Sequence, residues 1–198
     1  MYGMKQTTDE GKVMRTTRDT KAMFANELEE MMQTMPLSKV RVADLCGRCC
    51  VERRVFYYHY KDKYDLVAWI FERDYTRAAE GNAPYSEELY AEAHRRLWDR
   101  RGFYRRAFEE DSQNSIERYL LQFSVEANKA VLRRYLGVRK LSRQHAFVAR
   151  HFAYGNVGCV IDWLRGVIEA TPEELASEMF ACIPDELREA YAARSANA

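Results

Sequence analysis

No run of 18 apolar residues occurs in the 198-residue chain, so no membrane-spanning helix and no membrane partner is expected. No apolar stretch stands behind the lysines of the opening MYGMKQTTDEGKVM, so no secretory signal is expected, which points to the cytoplasm. Neither sign of charge dominates: 31 Lys and Arg stand against 30 Asp and Glu, a formal +1. That balance excludes a wholly basic nucleic-acid protein but leaves room for a local basic patch. The five cysteines, at 46, 49, 50, 159 and 182, are odd in number and unevenly spread, which is no disulfide framework. No segment alternates with period two long enough to make a strand. There is no HExxH, no phosphate-binding glycine loop and no nucleophile–base pairing, so no enzyme, no catalytic residue, no metal and no cofactor is expected.

What is present is apolar material at helical spacing. Hydrophobic residues make up 47% of the chain and charged residues 31%, a globular composition. Residues 1–15 read as a flexible tail. From Asp19, apolar positions recur at helical spacing to Met32, and Pro36 closes that helix. Two short segments follow, Val40–Cys49 and Glu52–Tyr60, separated at Val51. A longer periodic stretch runs from Tyr64 to Glu80. Gly81–Pro84 is a break, after which Ser86 opens a helix that Gly102 interrupts. Asp111 or Ser112 caps the next, which Gly137 stops near Leu136. Ser142 caps a long apolar helix to about Glu169. Thr171-Pro172-Glu173-Glu174 combines an N-cap, a first-turn proline and early acids, and opens a helix to about Ile183. Pro184 starts the last, to about Arg194. The expected fold is all-α, with nine or ten helices.

Charge is unevenly placed. Residues 35–63 carry seven Lys or Arg against three acids, while residues 76–198 carry 18 of each sign. The positive excess therefore falls on the short helices. Two short helices joined by a tight turn and preceded by a third make a helix-turn-helix plan. The second of the pair is about two turns long, the size of a major-groove reader. Phe56 and Tyr60, four apart, face the core, leaving Arg53, Arg54, Tyr57 and Tyr58 outside. Arginine forks suit guanine edges and phosphate, and tyrosine hydroxyls suit phosphate oxygens. Lys61 and Lys63 follow within reach of the backbone. On periodicity alone, a solvated charged helix beside an aromatic core stays open as the plainer account.

The stretch VRVADLCGRCCVERRVFYYHYKDKYDLVAWIF resembles the DNA-binding region of the TetR family of bacterial transcriptional regulators. Val42, Leu45, Cys46, Cys49 and Val51 fill the motif's apolar and small positions. Phe56, Tyr57, Tyr60, Lys63 and Leu66 match the remainder, Tyr60 standing where the motif has Phe. The stretches FYRRAF, YGNVGCVIDWLRG and TPEELA, with QNS at 113–115, resemble a C-terminal domain of the subgroup near the dihydroxyacetone-kinase regulators.

The resemblance implies a three-helix N-terminal helix-turn-helix domain, residues 16–63, followed by a helical ligand-binding and dimerisation domain, residues 64–198. It implies an effector-responsive, homodimeric repressor on a double-stranded palindromic DNA operator, with a small organic effector. The alternative is a helical protein-interaction module or coactivator with weakened DNA binding. Tyr57 and Lys63 match phosphate-contacting positions, and Arg53, Arg54, Val55 and Tyr58 match the variable recognition positions. Thr16, Thr17 and Arg18, with Arg41 and Lys61, complete the expected DNA-contacting set. Three departures oppose DNA binding: Cys50 for the turn glycine, Glu52 for a Ser or Thr cap, and Val55 for a threonine. Cys46, Cys49 and Cys50 resemble half a zinc site, but no second pair follows and core packing is expected.

The aromatic-rich body suggests a pocket lined from Tyr104, Phe108, Tyr119, Gln122, Phe123, His151, Asn156 and Asp162. A buried Asp162 needs a cationic partner, for which Arg165 or Arg150 is available. The arginine pairs 95–96, 100–101 and 105–106 are expected on solvated faces, and His94 at the surface or a helix end. Homodimerisation is expected through the helix from Arg143, which is apolar over much of its circumference.

Overall fold

A computed structural model describes residues 17–77, 86–109 and 116–196. Among them there are ten α-helices, one 3-10 turn and no strand. The first domain contains α1 (Thr17–Thr34), a 3-10 turn (Leu37–Lys39), α2 (Val42–Arg48) and α3 (Arg53–His59). α4 (Lys63–Thr76) leads into α5 (Glu87–Asp99), α6 (Arg101–Phe108), α7 (Ile116–Leu136), α8 (Arg143–Arg165), α9 (Pro172–Ala181) and α10 (Asp185–Ala196).

Local chemistry sets many of these boundaries. Ser86 accepts from Leu89 N, Ser142 from His145 N, and Thr171 forms a capping box with Glu174. Asp62 caps α4 by accepting from Tyr64 N and Asp65 N, both at 2.9 Å. α7 gives way to Gly137 at φ 65° and α8 to Gly166 at φ 85°, left-handed positions that suit glycine. α8 thus ends at Arg165, short of the expected Glu169. The expected interruption at Gly102 falls instead at Arg100, and Gly102 lies inside α6. The expected cap at Asp111 or Ser112, the break at Gly81–Pro84 and the 113–115 stretch lie outside the described residues.

α4 packs against α1, α5 and α7, joining the first domain to the body. One core runs from Phe24 and Phe56 through Leu66 and Ile70 to Tyr104 and Trp163. A second lies where α7, α8 and α10 meet, around Leu132, Ala149 and Leu187. There Asn128, buried, donates to Ala149 O at 3.1 Å and accepts from the Tyr191 hydroxyl at 2.6 Å, so both ends of its amide have a partner in an apolar surround. No helix among the described residues is long and apolar enough to cross a membrane.

Candidate nucleic-acid interface and effector site

α3 is amphipathic. Phe56 is fully buried and Tyr60 is 3% exposed, whereas Tyr57 and Tyr58 are 57% and 81% exposed. The Phe56 ring meets the Phe24 ring edge-on at 5.3 Å, which fixes the roll of α3 on α1. That roll turns Arg53, Arg54, Tyr57 and Tyr58 to solvent, with Val55 half-buried. Thr17 and Arg18 are exposed at the start of α1; Thr16 lies outside the described residues.

The turn between α2 and α3 closes with two bonds, Cys50 N to Gly47 O (3.1 Å) and Val51 N to Cys46 O (3.0 Å). This is a Schellman arrangement, and its left-handed residue is Cys50, at φ 53°. The position that favours glycine therefore holds a cysteine. Cys46 and Cys49 are buried, and burial pushes the Cys46 thiol pKa up. Among the described residues no group of three or more His, Cys, Asp or Glu is placed to hold a metal.

Glu52 occupies the N-cap of α3 but accepts no capping bond. It pairs with Arg54 instead, Nε to Oε2 at 3.0 Å, both groups largely exposed. Arg41 is likewise paired with Asp44, at 2.8 Å, while the Lys61 side chain is exposed. Lys63, expected on phosphate, is engaged within the protomer. Its ammonium donates to Leu37 O (2.6 Å), Ser38 O (2.9 Å) and Val40 O (3.0 Å). An ammonium has three N–H donors, so Lys63 locks the 3-10 turn to α4 rather than presenting a free charge.

The residues expected to line one effector pocket do not converge. Tyr104 and Phe108 are packed in the core, the Tyr104 hydroxyl donating to Asp74 Oδ2 at 2.6 Å. His151 is exposed on α8, its ring stacked on exposed Phe147 at 5.9 Å. Asn156 donates to the Tyr90 hydroxyl at 2.7 Å. Asp162 is half-buried, and Arg165, expected to pair with it, donates from Nε to Phe108 O at 3.2 Å. Tyr119, Gln122 and Phe123 do come together. They form one wall of a recess of about 390 Å³, whose other wall includes Lys21, Tyr60 and Trp69. Tyr119 donates to Asp62 Oδ2 at 3.1 Å, and burial followed by that bond pushes its pKa up to about 12.

Sequence reasoning missed Lys21, Tyr60 and Trp69 at this recess. The one available signal was the extra hydroxyl of Tyr60 at a phenylalanine position. It also missed His94, expected at the surface but fully buried, its Nδ1 2.7 Å from Tyr90 O. Arg100, expected on a solvated face, instead joins Asp74 of α4 to Glu29 of α1.

Residues 90–185 match the family described as "Transcriptional regulator C-terminal region". The chain is 25% identical over 72 residues to the HTH-type dhaKLM operon transcriptional activator DhaS of Lactococcus lactis subsp. lactis (strain IL1403). That match covers 36% of this chain and 38% of that relative. In fold it resembles the solved structure of a dihydroxyacetone kinase operon activator DhaS, with a TM-score of 0.56 and 18% identity, over 87% of this chain and 98% of the other.

Proposed function

We propose that the chain is a transcriptional regulator of the TetR family, a homodimeric, effector-responsive repressor that reads a palindromic operator through α3. The exposed face of α3 carries this reading: two arginines and two tyrosines stand outward on a helix whose other face is clamped by Phe24. Residues 16–63 form the reader and residues 64–198 the effector and dimerisation body, α4 linking the two. Two readers related by a dimer axis engage major grooves one helical turn apart, roughly 34–36 Å, which demands a palindrome. Arg53 and Tyr58 supply base and phosphate contacts, whereas Arg54 must first leave Glu52.

The coactivator alternative draws support from that same Glu52–Arg54 pair, which places a carboxylate on the reading face where it repels phosphate. Selection of random duplexes with the purified protein separates the two. The repressor reading expects a palindromic consensus and, for Arg53→Ala, a loss of about 1–3 kcal/mol in affinity on that sequence. Recovery of no consensus at low salt overturns it.

A further inference from the structure

The recess between the reader and α7 is lined by chemistry suited to a positive charge. Tyr60 and Trp69 meet at 6.0 Å with their planes 63° apart. The Lys21 ammonium lies 5.6 Å from the Tyr60 ring centre and 5.4 Å from that of Trp69. An ammonium shared by two aromatic faces is held by their quadrupoles, and aromatic clefts bind alkylammonium groups by the same attraction. Lys21 is thus a tethered occupant, delivered from α1.

Two further observations point to a ligand. The Tyr60 hydroxyl is buried and has no hydrogen-bond partner among the described residues. An unmet buried hydroxyl is costly, and an N–H donor entering the recess satisfies its oxygen. The charges also favour a cation. Asp65 and Glu72 line the recess against Lys21 and Lys61, while Glu126, also in the lining, is paired with Lys129 at 2.8 Å and Arg133 at 3.5 Å, and the Arg73 guanidinium lies 5.3 Å from the Trp69 ring centre. His59 is held toward its neutral form by burial and by Lys21. When Lys21 swings out, the carboxylates of Asp65 and Glu72 face one lining ammonium, that of Lys61. The volume, about 390 Å³, lies at the lower end of small-molecule sites.

We propose that this recess binds a primary alkylammonium ion with an apolar or aromatic tail, which displaces the Lys21 ammonium from the Tyr60–Trp69 cleft. The ligand's N–H groups reach the Tyr60 oxygen and the Glu72 carboxylate, and its tail lies along Phe123, an aromatic side chain 39% exposed at the mouth. A quaternary ammonium has no N–H for Tyr60, and a neutral alcohol gives nothing to the carboxylates. Occupancy stands independently of operator binding. Only its regulatory consequence rests on the repressor reading, so a protein without DNA suffices for the test.

The probe is phenethylamine, with 2-phenylethanol as its neutral match, titrated calorimetrically into the full-length protein. The amine is expected to bind at least about tenfold more tightly than the alcohol, as desolvated cation–π and charged contacts require. Lys21→Met removes the competing ammonium while keeping most of the side chain's length, and should tighten the amine about fivefold. Glu72→Gln and Tyr60→Phe should each weaken it, by roughly three- to tenfold. Circular dichroism checks that each variant remains folded; Tyr60→Phe is the safest, being isosteric. Equal binding of amine and alcohol overturns the proposal. So does unchanged or weaker amine binding by Lys21→Met, or a complete failure of the amine to bind that variant.

Discussion

The Tyr104 hydroxyl donates to Asp74 Oδ2 at 2.6 Å, tying α6 to α4 inside the body. Asp74 is 4% exposed and also receives Arg73, at 3.0 Å, and Arg100. Arg100 reaches on to Glu29 of α1, so one buried carboxylate anchors contacts that join α1 to the body. Burial and the Asp74 charge drive the Tyr104 pKa well up, so the phenol is the donor at any ordinary pH.

Tyr104→Phe removes that donor and leaves the ring in place. A hydrogen bond to a charged group contributes about 1.5–3 kcal/mol, and a loss in that range is expected by urea unfolding. Asp74→Asn should cost more, because it leaves Arg100 half-buried with only Glu29 to balance it. If Tyr104→Phe changes stability by less than the error of the fit, the cluster is not an anchor.

Cys50→Gly should stabilise the protein. A non-glycine residue in the left-handed region costs about 1–2 kcal/mol, and Cys50 sits at φ 53°. Glycine returns roughly 0.5–1 kcal/mol of that through its larger unfolded-state entropy. The expected net gain is about 0.5–1 kcal/mol in chemical denaturation. A loss would mean that the thiol makes contacts that outweigh the backbone relief.

Glu52→Ser should tighten DNA binding, most at low salt, where repulsion is least screened. The change frees Arg54 from its 3.0 Å partner and supplies a hydroxyl for the uncapped start of α3. Fluorescence anisotropy on a single duplex across a salt series checks this. Weaker binding to a selected operator would instead identify Glu52 as accepting from a cytosine amino group.

Much of the fold was legible because its boundaries are local chemistry. Ser86, Ser142 and Thr171 announce helix starts, and Gly137 announces a stop, through bonds within four residues of each. The amphipathicity of α3 was legible too, since Phe56 and Tyr60 fall on one helical face. What the sequence hid depends on distant partners. Nothing local marks His94 as enclosed by Tyr75, Tyr90 and Trp163, drawn from three helices and their surroundings. Lys63 was legible as a motif position, yet its bonds go to carbonyls some 25 residues earlier. The recess was half visible: Tyr119, Gln122 and Phe123 share α7, but the opposite wall comes from α1, the end of α3 and α4.

Stability should fall in mild acid because of His94. Burial holds its pKa below the ordinary 6.5, outweighing the bond to Tyr90 O. The unfolded chain therefore takes up a proton as pH drops through about 6.5, while the folded chain does not. The imidazole's contribution is fully present above that value and is lost as pH falls below it, toward the folded pKa. The slope approaches about 1.4 kcal/mol per pH unit for one such group. Urea unfolding at steps between pH 7.5 and 5, on wild type and His94→Gln, isolates it (range chosen to bracket roughly 6.5). The readout is the difference in slope, not the variant's absolute stability. Identical slopes would place the acid sensitivity elsewhere.

The proposed dimer should dissociate on Phe147→Glu. α8 buries Ala149, Phe152, Ala153 and Val157 within the chain, but leaves Phe147 61% and Tyr154 52% exposed along another stripe, with His151 between them. Large exposed aromatics in a row on a helix mark an interaction surface rather than a solvated face. Gly155 and Gly158 lie on the same helix, and among the described residues a Cβ at either would meet nothing within 4 Å beyond the helix's own neighbouring backbone, so both leave room for a close partner. Because Phe147 is open in the protomer, replacing it by Glu costs the protomer's core nothing, whereas in a symmetric interface it buries two carboxylates near one another. Sedimentation equilibrium at micromolar concentration should give about twice 23.3 kDa for the wild type and 23.3 kDa for the variant, with unchanged helicity. A variant that stays dimeric would move the interface away from this stripe of α8. A wild type that sediments as a monomer would remove the symmetric operator from the proposed function, since a single α3 reads too few base pairs to specify a site.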